Sequence, residues 1–374
     1  MLLNAQQWPL ENEIEARILH HFIVHCTPWV DICDSDRHFE MVIPERAMHC
    51  RAMLCAVLGL AAQHMWLVGQ MKDDVSRPYI DDALEELIVA LEDPLAQWNE
   101  DFLVTVILLR LHEEMSETDD QCHHLGSARV LNSICSFAAD GGLREAASWI
   151  SLRQHLTVSL VKQQPLDLDL SNYRFSKAFG PVPIENESWT NRIIYIFARI
   201  LQQALTEIGE HGLTEDQWTL LREEVDEWEK IRPESFRSIL KHDHDIGTEF
   251  TGSWPYLPTA RGVVAVGLQF WHLCEILLIL YSPYTRPGLS GARQRIKDDA
   301  AVRRHIRIVL GYGKSNAHCP NTLFQGGHIL AVCGAYIIDK SEQDACVEYL
   351  RYFQRVIGWR TAKSIAELQY LWAL

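Results

Sequence analysis

Apolar residues recur along this chain at three- and four-residue spacings over long windows, and runs of strict alternation are short and rare. That period is the helical signature, so the chain is predicted to be all-α, with roughly a dozen helices and no sheet of consequence. The clearest helix runs from Gln217 to Ile231, with Trp218, Leu221, Val225 and Trp228 on one stripe. Thr214 and Gln217 ahead of it stand at the spacing of a capping box, in which a hydroxyl and an amide each satisfy an orphaned backbone N–H. Further helices are predicted over 12–26, 47–70, 79–91, 101–115, 123–138, 143–163, 189–208, 262–281, 299–311, 323–338, 342–356 and 361–372. Gly141-Gly142 and Pro78 near helix starts, and Pro165 and Pro283 beyond helix ends, punctuate this pattern. The segments 167–187 and 241–261, rich in proline, read as connecting loops.

With 374 residues and 48% hydrophobic side chains, the chain can bury a large core. No fixed-period repeat and no low-complexity tether divides it. The expectation is one large globular helical domain over 1–374, with two helical lobes meeting near the 167–187 loop as the other arrangement the length allows.

Thirty-four Lys and Arg against fifty Asp and Glu give a formal charge of −16, which repels a phosphate backbone unless basic residues gather on one face. The most basic stretch, Arg293 to Arg307, is interrupted by Asp298 and Asp299 and reads as a solvated helix face, so no direct nucleic-acid contact is expected. The ten cysteines include no CxxC pair, and most sit among apolar neighbours, as Cys55 and Cys333 do. With no signal peptide at the N-terminus, an intracellular, reducing setting, nuclear or cytoplasmic, is expected. The segment from Val263 to Tyr281 is the most membrane-like, yet it carries Gln269, His272 and Glu275. An acid at a bilayer centre costs about 2.5–3.5 kcal/mol, so a buried helix is expected there and no membrane partner.

Metal and nucleophile patterns are weak. His21 and His25, four apart on one helix face, could chelate an ion, and the run from Lys241 to Asp245 holds ligand-type side chains, but neither has a complete ligand set. No metal and no cofactor is expected. The doublets Glu113-Glu114 and Asp119-Asp120 are expected to face water. No GxSxG and no P-loop occurs.

Several strings resemble the regulatory domain of fungal zinc-cluster transcription factors, in the order that family uses them. They are Pro28 to Met65, the stretch ending at Met115, Gly141 to Leu170, Trp189 to Leu201, and three later strings, VGLQFWHLCEILLILYSP, AVRRHIRIVLGY and GWRTAKSIAEL. The resemblance implies an all-helical regulatory module, nuclear in its usual setting, often dimeric, so that a homodimer is one expectation, and in the sterol-responsive members able to accept an apolar ligand. The six-cysteine zinc cluster usual ahead of it is missing from this sequence, so the chain is expected to reach DNA through a DNA-binding partner protein. His155, Lys162 and Gln164 stand where the family commonly has other residues, which marks a polar patch that could be re-tooled. The leading expectation is a transcription regulator of a fungal metabolic or secondary-metabolite pathway. Trp254, Tyr256, Phe270, Trp271 and His272 are the candidates to line a pocket for a hydrophobic small molecule. The alternative is a cofactor-independent cyclase or isomerase on the same scaffold, with His155 and His272 as acid/base groups.

Overall fold

The computed structural model describes residues 10–91, 100–116, 141–180, 185–206, 212–240, 254–284 and 288–374. Among them the regular structure is helical and no strand occurs, as the periodicity requires. The long helices are α1 (Glu13–His21), α2 (Arg51–Leu67), α3 (Ser76–Leu91), α4 (Glu100–Met115), α5 (Leu143–Lys162), α6 (Asn186–Ala204), α7 (Glu215–Ile231), α8 (Gly262–Leu280), α9 (Ala292–Ser315), α10 (Asn321–Cys333), α11 (Lys340–Ile357) and α12 (Ala362–Ala373). The predicted helix over 123–138, the doublet Asp119-Asp120 and the run from Lys241 to Asp245 lie outside the described residues.

The chain forms two compact units. The first comprises residues 1–154, 171–177 and 354–360, and the second residues 155–170, 178–353 and 361–374.

The first unit is built on α2, whose residues from Met53 to His64 are all buried, so it presents no polar face to solvent along that stretch. Such a helix is stable only when neighbours enclose it, and α1, α3 and α4 do so. At Gly59 a Cβ would lie 2.4 Å from Cδ1 and 2.9 Å from Cγ1 of Ile80, so the Ile80 side chain of α3 packs directly onto this glycine. A larger side chain there would have to displace the Ile80 side chain, at about 1–3 kcal/mol. The chain entering α5 is fixed by Glu145, which is buried and accepts hydrogen bonds from the amides of Gly141 (3.2 Å) and Lys177 (3.0 Å) and from the hydroxyl of Ser176. Gly141 has φ of +70°, the left-handed region that glycine adopts without penalty.

Glu113 and Glu114 correct the expectation of a water-facing doublet. Both point inward to Arg110, whose side chain is 1% exposed: Nη1 lies 2.7 Å from Glu113 and Nε 3.0 Å from Glu114. All three residues stand within two turns of α4. The helix is buried on most of its surface, so its terminal acids are drawn in with it.

The second unit is organised around α8, which α6, α7, α9 and α10 surround. It is long and apolar enough to cross a membrane, but most of its surface is buried. The three polar residues that interrupt its apolar run each find a polar partner. Gln269 Nε2 donates to the carbonyls of Val309 (2.9 Å) and Thr322 (2.8 Å), His272 meets His305, and Glu275 accepts from Arg222. Helix α9 begins at Ala292, well before the predicted start at 299, and its first turns carry the exposed Arg293, Arg295 and Lys297 expected of a solvated face.

The capping box at the start of α7 is formed: Gln217 N donates to Thr214 Oγ1 (3.2 Å) and Thr214 N to Gln217 Oε1 (2.9 Å). The helix then buries Leu221, Val225 and Trp228. Thr214→Ala is expected to lower the stability of the second unit by about 0.5–2 kcal/mol, whereas Thr214→Ser should be close to neutral; chemical denaturation of the two variants checks this.

Candidate functional site

The residues singled out from the sequence fall into four places. Phe270 is core: it is 5% exposed, and its ring meets Phe197 edge-on at 5.4 Å between centroids. Trp271 and His272, next along α8, face α9 instead. His272 Nδ1 lies 2.8 Å from His305 Nδ1, so one ring donates and the other accepts. The indole of Trp271 stands 4.7 Å from the His272 ring and 6.3 Å from His305, and Tyr312 lies 6.1 Å from His272.

Burial, reinforced by His305 and Arg304, pushes the pKa of His272 well below the usual histidine value. Burial likewise lowers His305 to about 4, with Glu275 opposing part of the shift. The pair is therefore neutral at physiological pH, and its arrangement suits a fixed polar contact between two helices better than proton transfer to a bound molecule.

Trp254 and Tyr256 sit in the segment that precedes α8, and Tyr256 is 63% exposed. That segment is tied to the end of α9 by Leu257 N donating to Ser315 Oγ (2.7 Å) and Thr259 N donating to Asn316 Oδ1 (2.9 Å). A Cβ on Gly311 would lie 2.6 Å from the carbonyl oxygen of Pro255, so this glycine admits the loop. His155 is 1% exposed, within the last turns of α5.

The second unit also holds a groove of ≈ 490 Å³, which sequence reasoning did not find. Trp218 of α7, Leu278 and Ile279 of α8, and Tyr284 supply its apolar wall, and Ser282, Ser290, Gln294 and Asp298 its polar side. The size lies within the range of small-molecule sites. Trp218 is held in place by donating its indole N–H to the carbonyl of Leu278 (2.8 Å), and its ring meets Tyr284 edge-on at 5.3 Å. Arg222 also lines the groove, but its guanidinium is engaged by Glu275 and Asp226, so it braces α7 against α8 rather than offering a free charge. Asp298 accepts from Gln294 (2.7 Å) and keeps a carboxylate at the rim. The groove can therefore take a compact apolar body with one or two donor groups. The only sequence signal for it is Trp218, which stands on the α7 stripe with core residues but is partly exposed.

In the first unit, the pair read from the sequence as His21 and His25 is arranged differently. The rings lie 4.5 Å apart between centroids, tilted by 37°, with His25 exposed, and His21 hydrogen-bonds to His64 of α2 at 2.7 Å.

Residues 17–147 match the fungal specific transcription factor domain, so the resemblance carried by the strings between Pro28 and Met115 is borne out. The later strings, from Trp189 onward, lie outside that match. No curated protein and no solved structure matches the chain. The match supports a regulator-like role in transcription.

Proposed function

We propose that this chain is the effector module of a fungal transcription regulator, that it takes a small apolar molecule carrying hydroxyl or amine donors in the groove of its second unit, and that it reaches promoters through a protein partner. The match of residues 17–147 to the fungal specific transcription factor domain carries the regulatory part of this reading. The formal charge of −16 supports the partner, because an acidic protein is repelled by the phosphate backbone. The groove supports the ligand: Trp218, Leu278, Ile279 and Tyr284 would remove apolar surface from water, while Asp298 and the serine hydroxyls would orient donors.

The regulatory role is tested by fusing the whole chain to a heterologous DNA-binding domain upstream of a reporter gene. A change on the order of tenfold in reporter output is expected for an effector module, and output equal to that of the DNA-binding domain alone rejects it. Deletion of the gene in its host gives the complementary readout. Coordinated loss of neighbouring transcripts agrees with a regulator, whereas unchanged transcripts with one accumulating intermediate point to an enzyme.

The groove is tested separately with 1-naphthol, an apolar ring bearing one hydroxyl. Saturable binding is expected. Gln294→Trp, which places a ring in the groove from an exposed position, should weaken it on the order of tenfold or more without lowering the melting temperature. Equal binding by both proteins would place the ligand elsewhere.

A further inference from the structure

The first unit contains a buried cluster that the regulatory reading does not use. His21 closes α1, Cys26 closes the turn that follows it, and His64 lies in α2. They are 4%, 1% and 4% exposed, and one ligand atom from each, nitrogen or sulfur, falls within 4.8 Å of the other two.

The backbone explains how the first two come together. In an α-helix, residues five apart are rotated by about 140° and face different directions. Residues Phe22–Cys26 instead form a π-helical turn, in which the amide of Thr27 donates to the carbonyl of Phe22 five residues back. A π turn closes over five residues, so His21 and Cys26 share one side of it, and that side meets His64. Such single π turns recur at functional sites.

Packing alone gives no reason for this trio. Two imidazoles in an apolar interior cost more than aliphatic side chains of the same volume would. The rings share one hydrogen bond of 2.7 Å, between Nε2 of His21 and Nδ1 of His64. Trp29 walls the site, its ring edge-on to His64 at 4.6 Å.

We propose that His21, His64 and Cys26 form a closed three-coordinate site for a single cuprous ion. A thiolate and two imidazoles are the borderline and soft donors that bind Cu(I) and Zn²⁺. Charge decides between these ions. One thiolate balances one Cu(I) and leaves the buried site neutral, while Zn²⁺ would leave a net positive charge on the same three ligands. Three ligand atoms about 2.0–2.3 Å from one ion stand roughly 3.5 Å from one another. The site therefore needs the two imidazole nitrogens to part by somewhat under an ångström and the thiol to close in.

The two imidazoles arrive deprotonated, whereas the thiol must lose its proton. Burial, followed by the neighbouring His21, holds His64 down to about 3, and burial with His25 holds His21 to about 4, so both rings offer a lone pair at neutral pH. Burial pushes the Cys26 thiol well above its usual range. The incoming ion must then displace one proton: the S–H bond breaks, the Cu–S bond forms, and the proton leaves to solvent.

The test is a titration of the full-length, reduced protein with Cu(I) under anaerobic conditions against bicinchoninate. Wild type is expected to withdraw one equivalent that Cys26→Ser and His64→Leu do not, with affinity lower by at least about a hundredfold in each variant. Cys55→Ser, outside the trio, should retain it. The affinity of wild type should rise about tenfold per pH unit between pH 6 and 8, since one proton is released. X-ray absorption of the loaded wild type should give two nitrogen neighbours and one sulfur, a readout that does not depend on whether any variant folds. All-sulfur coordination, identical stoichiometry in Cys26→Ser, or retention of Zn²⁺ in preference to Cu(I) would each overturn the assignment.

Discussion

Arg110→Ala will destabilise the first unit by about 3–5 kcal/mol, a large share of the stability of an ordinary domain. The guanidinium is 1% exposed and joined to Glu113 and Glu114, whose side chains are only 10% and 8% exposed. Removing the cation takes a charged partner from two adjacent carboxylates in the interior, where low exposure makes that loss costly. Arg110→Lys should recover part of the loss, because an ammonium restores the charge but cannot aim separate N–H groups at two acids. The triple change Arg110→Met, Glu113→Gln and Glu114→Gln should recover most of it, since the charges then leave together. Hydrogen exchange of the α4 amides during denaturant titration reports this unit specifically. A loss below about 1 kcal/mol in Arg110→Ala would show that the acids reach water.

The same three residues show where the sequence was legible and where it was not. Glu113 and Glu114 stand three and four positions after Arg110, the spacing of neighbours on one helix face, so the pairing itself could be read. What could not be read was that the whole end of α4 is enclosed, because burial is a property of the neighbours. Long helices with an apolar stripe were visible from their period, and the capping box at Thr214 from two residues. Short pieces such as Thr27–Val30, His38–Met41 and the 3₁₀ turns over Leu170–Phe175 and Lys177–Phe179 are too brief to show a period. The start of α9 was placed late because its first turns are charged on every side. The candidate sites were harder still. His272 was picked out as a polar interruption in an apolar helix, but its partner His305 lies 33 residues away in a charged helix, and His21 finds His64 across 43 residues. Nothing in the string FIVHC announces a π turn, and the groove is assembled from separate segments, none of which carries a motif.

Those cross-chain histidine contacts have a consequence in acid. The metal-free chain is expected to lose stability steeply as pH falls from about 6.5 to about 4. Burial holds His21 and His305 to about 4 and His64 to about 3, and keeps His272 well below its ordinary value. In the unfolded chain each returns to the usual value near 6.5. Between the two values the unfolded state binds more protons than the folded one, so acidification favours unfolding. One such histidine contributes a slope of about 1.4 kcal/mol per pH unit. Asp31 acts in the opposite sense. Burial raises its pKa to about 7, although it accepts hydrogen bonds from the amides of Phe39 and Glu40. Its contribution is therefore present below the unfolded value, near 3.8, and is lost as pH rises through about 7. Burial also holds His328 to about 4, so five histidines against one aspartate, summed over both units, leave a net slope of roughly 4–5 kcal/mol per pH unit over the window, enough to unfold an ordinary domain within two units. Denaturation midpoints measured every half pH unit, with a chelator present, give the slope directly. His305→Asn keeps a polar partner for His272 and removes one titrating ring, so its slope should be shallower by about 1.4 kcal/mol per pH unit. A wild-type profile that stays flat between pH 6.5 and 4 would mean that these rings take up protons in the folded state, and that the imidazole pairs open to water.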